Sequence, residues 1–249
     1  MIQHGRKTRI YEQPPQPRPP TTPTPSRALL AEWRLPLQLA RLGVHAPQLL
    51  RQRTDSPTTA IVIPGWKSPE WTMEPIRRYL TWLGHDVRHW GLGVNRGNTG
   101  RDRDRLLPTV RALAEECGHS ISLIGWSLGG VVAREVARQA PDGVARVITY
   151  GTPVQGGPAY TIGARSVSRE QCERIVARQK QREHDQPLTT PLTAIFTRRD
   201  TVVDWPASID LTSPHTTHVE VRSTHVSMGI DPDVWRAVAH ALESPLTTH

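Results

Sequence analysis

The eleven residues from Ile121 to Val131, ISLIGWSLGGV, constrain this chain more than any other stretch. A mostly apolar run enters Gly125-Trp126-Ser127-Leu128-Gly129, and apolar residues then recur at helical spacing through Val131, Val132, Val136 and Ala137. That pattern predicts a strand, a sharp turn and a helix. So tight a turn strains the backbone at its central residue and crowds the positions two before and two after it, which glycine tolerates for want of a Cβ. Gly125 and Gly129 stand at those positions and leave Ser127 at the tip. The helix that starts there points its free N–H groups and its dipole at any negative charge that develops beside the serine. G-x-S-x-G is the nucleophile-elbow spacing; the competing reading is a glycine-rich turn whose serine caps a helix.

A chain of 249 residues suits one α/β domain with a sizeable core. The net charge of +8 raises the question of nucleic acid. However, only three of the 31 basic residues are lysines (Lys7, Lys67, Lys180), and the arginines are interleaved with acids, as in RDRDR at 101–105. This reads as a solvated, arginine-rich surface, and no nucleic-acid partner is expected. Cys117 and Cys172 fall in separate predicted helices without metal-ligand spacing, so reduced structural thiols and no metal are expected. The opening MIQHGRKTRI carries no apolar h-region, and no run reaches the roughly 18 residues that span a bilayer. A cytoplasmic protein is the expectation.

Taken in order, residues 1–26 hold seven prolines between Pro14 and Pro25 and few apolar residues, which predicts a disordered, partly polyproline arm. Residues 27–53 are leucine-rich and basic, broken by Pro36, Gly43 and Pro47 into short predicted helices. Two readings stand for them: packing over the edge of a sheet, which is favoured, or a basic amphipathic contact with a membrane or partner. The domain proper, 54–249, alternates strand and helix. TTAIVIPGW (58–66), HDVRHWGL (85–92), the elbow strand, VARVITYGTP (144–153), TAIFTRR (193–199) and HVEVRST (218–224) read as strands, and DPDVWRAVAHAL closes the domain as an amphipathic helix. This alternation predicts a mostly parallel sheet of about six strands with helices on both faces. Between VARVITYGTP and TAIFTRR lies an insert, 154–192, with a glycine-rich start and a polar helix.

Sites in such sheets form at the carboxyl ends of strands. Four such ends carry permissive or reactive groups: Gly65-Trp66, Ser127, Asp200 and His225. A serine hydroxyl needs a base, and the base needs a third group to hold its ring. Of eleven histidines, only His225 directly follows a late strand; Asp200 in FTRRDTVVDW is favoured as the acid over Asp204, whose ordinary role would be to cap the turn into Trp205-Pro206. An oxyanion would be met by the Leu128 N–H at the helix start and most simply by the Trp66 N–H, with Gly65 allowing close approach. Trp66 and Trp126 equally suit a pocket wall or core packing.

With those residues in view, the chain over about 58–243 resembles the α/β-hydrolase fold, and within it the small bacterial esterase and lipase-like members. VIPGW, IGWSLGG, YGTPVQGG, RRDTVVD and STHVSMG carry the likeness. The resemblance implies a three-layer sandwich with a short helical cap formed by 154–192. It also implies hydrolysis of small-molecule or lipid carboxylic esters through an acyl-enzyme on Ser127, with no cofactor. Gly151-Thr152-Pro153 resembles the segment that lines the site beside the serine, so Thr152 and Pro153 join Gly65 and Trp126 as implied substrate contacts. The usual first antiparallel strands are missing, and the polar cap argues against a deep, greasy acyl tunnel. The same triad would serve an acyltransferase, and a non-catalytic binding protein on a hydrolase scaffold is the reading from another class.

Overall fold

The β-branched run after Thr58 forms strand β2 (Thr59–Ile63), buried at all five positions in a computed structural model that describes residues 8–11, 13–24, 35–51 and 53–245. Burial on both faces is what a continuous apolar strand requires, and β2 sits inside a seven-stranded sheet in the order β1-β7-β6-β5-β4-β2-β3. The other strands are β1 (Arg9–Tyr11), β3 (Asp86–His89), β4 (Ile121–Trp126), β5 (Val144–Tyr150), β6 (Leu192–Phe196) and β7 (Thr216–Glu220). From β2 to β7 every pairing is parallel, and β1 alone runs antiparallel, against β7. The six parallel strands match the expected six; the seventh comes from the N-terminal arm.

Helices cover both faces. On one side α2 (Glu74–Leu83) and α6 (Pro232–Glu243) pack through Ile76, Leu80, Val234 and Val238 onto Ala60, Val62, Ile124 and Ile148. On the other, α3 (Thr99–Cys117) and α4 (Leu128–Gln139) pack through Leu106, Val110, Val132 and Val136 onto Ile61, Ile63, Leu123 and Val147. Each fully buried aliphatic side chain of this kind contributes about 1.5–3 kcal/mol. The chain leaves β2 toward β3 in one direction and β4 toward β5 in the other, so the strand order reverses between β2 and β4. A crevice opens at the carboxyl ends of two such strands. Gly65 follows one of them and Ser127 the other.

The arm, read from its composition as disordered, is structured where it is described. Its residues 9–11 extend the sheet, pairing Arg9 with Glu220 and Tyr11 with His218, and the Tyr11 hydroxyl donates to Glu220 at 2.5 Å. The proline-rich part that follows has few N–H groups to give a ladder. It is held instead by side chains: Arg18 donates twice to Asp204, at 2.7 Å each, and Thr21 donates to the same carboxylate through its N–H at 2.6 Å and its hydroxyl at 3.0 Å. Low hydrophobicity misled here because these contacts are ionic and lie on partners almost two hundred residues away.

Burial alone would push the Asp204 carboxyl up, but Arg18 and Thr21 outweigh it and hold it below its usual range. A depressed carboxyl stabilises above its unfolded pKa, about 3.9, and that contribution is lost as pH falls through the folded value. The Thr21 amide should therefore be protected from hydrogen exchange at neutral pH and should lose protection in acid. Asp204→Asn should accelerate its exchange about 10- to 100-fold at pH 7, the worth of one hydrogen bond to a charged group. Unchanged exchange in the variant would mean that Asp204 does not hold the arm.

The leucine-rich segment also differs from expectation. Its residues 27–34 lie outside the described residues, and the remainder forms one helix, α1 (Leu35–Leu49), with Pro47 inside it. Pro36 stands at its second position, where a missing N–H costs little, and Gly43 weakens a helix without ending it. Its main contacts are with α6 and with the turn Val226–Ile230 before it, rather than with a strand at the sheet edge. Gln38 is buried and donates to Asp231 at 2.6 Å, Arg41 bonds Asp233 at 2.9 Å, and Leu49 enters the core. Among the described residues no helix is long and apolar enough to cross a membrane.

Candidate active site

Ser127 sits between β4 and α4 with φ 52° and ψ −121°, a conformation rarely adopted by a residue with a side chain. Two glycines make it attainable. A Cβ on Gly125 would lie 2.3 Å from the Gly130 nitrogen, and one on Gly129 would lie 2.2 Å from the Ile63 carbonyl oxygen. Because both obstacles are backbone, neither can swing aside. Gly129→Ala should accordingly cost about 3 kcal/mol, at the upper end for overpacking, as read from urea unfolding. A loss below about 1 kcal/mol would show that the turn can open without penalty.

Asp200 lies in the loop after β6 and His225 in the loop after β7. The imidazole Nδ1 is 2.7 Å from Asp200 Oδ2, and the other carboxylate oxygen accepts the N–H groups of Val202 and Val203 at 2.9 and 2.8 Å. The carboxylate is thus fixed on both sides, and both side chains are at least nine-tenths buried. Asp204 does not face the ring, since Arg18 and Thr21 occupy it. Gly151 permits close approach of the imidazole: it has φ 59°, and a Cβ there would fall 3.0 Å from two ring atoms. The Trp126 ring lies beside the imidazole, 5.9 Å between centroids.

Ser127 and His225 line one cavity of about 640 Å³, with no direct hydrogen bond between them among the described residues. The loop after β2, with Gly65, Trp66 and Ser68, borders the same space. Its shape is set by Asn95, a residue that the sequence shows only as one of several turn formers. Fully buried, Asn95 donates through Nδ2 to the Pro64 carbonyl at 2.9 Å, accepts the Lys67 N–H at 2.7 Å and gives its own N–H to Ser68 at 3.1 Å. The amides of Trp66 and Leu128, both in the cavity wall, serve no hydrogen bond among the described residues.

Gly65, Trp126 and Pro153 also line the cavity. Thr152 does not. It is buried beneath the elbow, where a Cβ on Gly130 would strike its hydroxyl oxygen at 2.1 Å, so it supports the turn and is too deep to meet a ligand. The insert closes much of the remaining wall. Pro158, Ile162, Val167 and Ile175 come from it, although its helix α5 (Arg169–Asp185) is polar on average. A polar mean conceals the few apolar residues that turn inward, so the cavity is more apolar than the insert's composition suggests.

No family model matches the chain. Solved structures do. A metagenome-derived lipolytic enzyme of the LipS and LipT pair superposes with a TM-score of 0.56 at 16% identity, over 77% of this chain and 96% of that one. The monoacylglycerol lipase of Paleococcus ferrophilus gives 0.53 at 13% identity, over 76% and 94%. The fold is that of the α/β-hydrolases. In sequence, the chain is 32% identical over 94 residues to a pimeloyl-[acyl-carrier protein] methyl ester esterase of Aliivibrio salmonicida (strain LFI1238). That match spans 37% of this chain and about a third, 35%, of the relative.

Proposed function

We propose that this protein hydrolyses carboxylic esters through an acyl-enzyme on Ser127, with His225 as the base and Asp200 as the group that orients it. The observation that supports this best is the strained serine at the start of α4, sharing a cavity with a histidine whose far nitrogen is held by a buried carboxylate. Asp200 at Nδ1 favours the tautomer in which Nε2 is free to accept a proton. Ser127 Oγ attacks the ester carbonyl carbon as its proton passes to Nε2. Catalytic pairs are often long before substrate binds, so this step requires Oγ and Nε2 to close to hydrogen-bond distance. The tetrahedral oxyanion is met by the Trp66 and Leu128 amides, aided by the N-terminal dipole of α4. Collapse breaks the bond to the alcohol oxygen, which leaves with the proton from Nε2. Water then repeats the sequence on the acyl-serine, releasing the acid and restoring the enzyme. The likeness to lipolytic structures and to part of an esterase supports the ester class.

In domain terms we propose a hydrolase domain over 54–249 whose insert 154–192 acts as the cap. A series of p-nitrophenyl esters of increasing acyl length tests the proposal: saturable hydrolysis by the folded protein is expected, and a rate no higher than that with heat-denatured protein for every ester would overturn it.

A further inference from the structure

Resting on the ester-hydrolase reading, we infer that the cavity selects esters whose apolar portion ends in an oxyanion, received by Arg178 and Arg96. The charges on the wall carry the inference. In α5, Ile175, Arg178, Gln179 and Arg182 follow the spacing i, i+3, i+4, i+7, and all four line the cavity. One side of a helix that reads as a solvated polar element therefore forms part of the wall. Arg182 is neutralised there, because it bonds the Glu135 carboxylate of α4. Glu135 is the one carboxylate on that wall among the described residues, and it also takes Arg138 at 2.7 Å. Arg178 and Arg96 have no ion pair or hydrogen bond among the described residues, so the wall keeps two uncompensated guanidinium groups.

Much of the rest of the surround is apolar, with Trp66, Trp126, Val131, Ile162 and Val203 on it, and its other polar side chains, such as Ser68, Thr99, Thr161 and Gln179, are uncharged. Such a lining with a few placed polar groups is the usual form of a ligand site, and 640 Å³ is within its usual size range of about 300–1,000 Å³. Guanidinium groups without acids beside an apolar enclosure favour a ligand that brings its own oxyanion, since a planar fork matches a carboxylate or phosphate. A carboxylate and a phosphate are the two sources of that chemistry.

The test compares kcat/KM for three p-nitrophenyl esters of equal chain length: one ending in methyl, one in a carboxylate and one in a phosphonate. Wild-type protein should favour an anionic ester over the neutral one by about tenfold or more, with the preference shrinking as salt is added. Whichever anion is favoured names the source. In the double variant R96Q/R178Q the anionic-to-neutral ratio should fall to about one; being a ratio, it cancels any general loss from the substitutions. A ratio near one in wild type, or a preference that survives the double substitution, would overturn the inference. If no ester is cleaved, the hydrolase reading fails on its own. The matching N-methyl amides, titrated against Trp66 and Trp126 fluorescence, then decide the charge preference: a tenfold tighter anionic amide that loses its advantage in R96Q/R178Q upholds it, and equal binding rejects it.

Discussion

Ser127→Ala should lower kcat for ester hydrolysis by about 10⁴- to 10⁶-fold while leaving the unfolding midpoint within a few degrees of wild type. The size follows from the division of labour. Under the proposed mechanism, loss of Oγ removes the acyl-enzyme, and the Trp66 and Leu128 amides and the cavity are left to assist direct attack by water. His225→Ala should fall to about the same floor, because an unactivated hydroxyl contributes little. Combining the two should then cost no more than either alone, since residues acting as one unit are grossly non-additive. Asp200→Asn should leave the ring in place but remove the acceptor that sets its tautomer, a loss of about 10⁴-fold in kcat. Steady-state kinetics on one p-nitrophenyl ester decides all four. If the double variant loses the product of the single losses, Ser127 and His225 act independently and the triad reading fails.

The second large effect concerns the ion network that joins the elbow helix to the insert. Arg134 of α4 is buried and donates to Asp210 at 2.5 Å and to both oxygens of Glu183, in α5, at 3.0 Å. Arg138 pairs with Glu183 at 2.5 Å, next to the Glu135–Arg182 pair. Burial pushes the Asp210 carboxyl up, but Arg134 and the hydrogen bonds from Ser213 and Thr212 prevail and hold it well below the carboxylate range. Arg134→Met would strand that buried charge. Breaking such a pair from one side costs about 3–5 kcal/mol, or a fall in Tm of about 6–20 °C for a chain of this size.

The sign of the pH dependence follows from the depressed carboxyl. Wild-type protein has the full contribution above pH ~3.9 and loses it as pH falls through the lower folded value, so the deficit of Arg134→Met should be greatest near neutrality and shrink in acid. Adding Asp210→Asn to Arg134→Met should recover part of the loss. Strictly additive losses in calorimetry, constant with pH, would mean that the two groups are not coupled.

How much of this was legible in the sequence depended on whether the cause was local. The elbow was, because Gly125, Ser127 and Gly129 exclude other turns by their own sterics. Strands β2 to β7 were, because β-branched apolar runs admit few alternatives. Asp200 and His225 could be singled out because each follows a strand. Thr152 was misread because a likeness in sequence does not say whether a side chain points to the cavity or beneath the elbow. The arm was misread because its hold depends on Asp204 and Glu220, which no local pattern links to Arg18 and Tyr11. Helix α1 was placed on the sheet edge because its leucines suggested a greasy contact, whereas Gln38 and Arg41 dock it on the start of α6. Arg178 was hidden for the same reason: a charged helix reads as solvated until the side that lines the cavity is known, and Arg96 lies in a loop that no local pattern links to that helix.

Covalent labelling tests the proposed nucleophile, Ser127, without knowledge of the substrate. A fluorophosphonate probe is incubated with the native full-length protein, and the digest is read by mass spectrometry. One adduct is expected, on Ser127, absent from Ser127→Ala and from heat-denatured protein. Folded protein that takes up no probe, or an adduct that persists unchanged in Ser127→Ala, would contradict that role for Ser127.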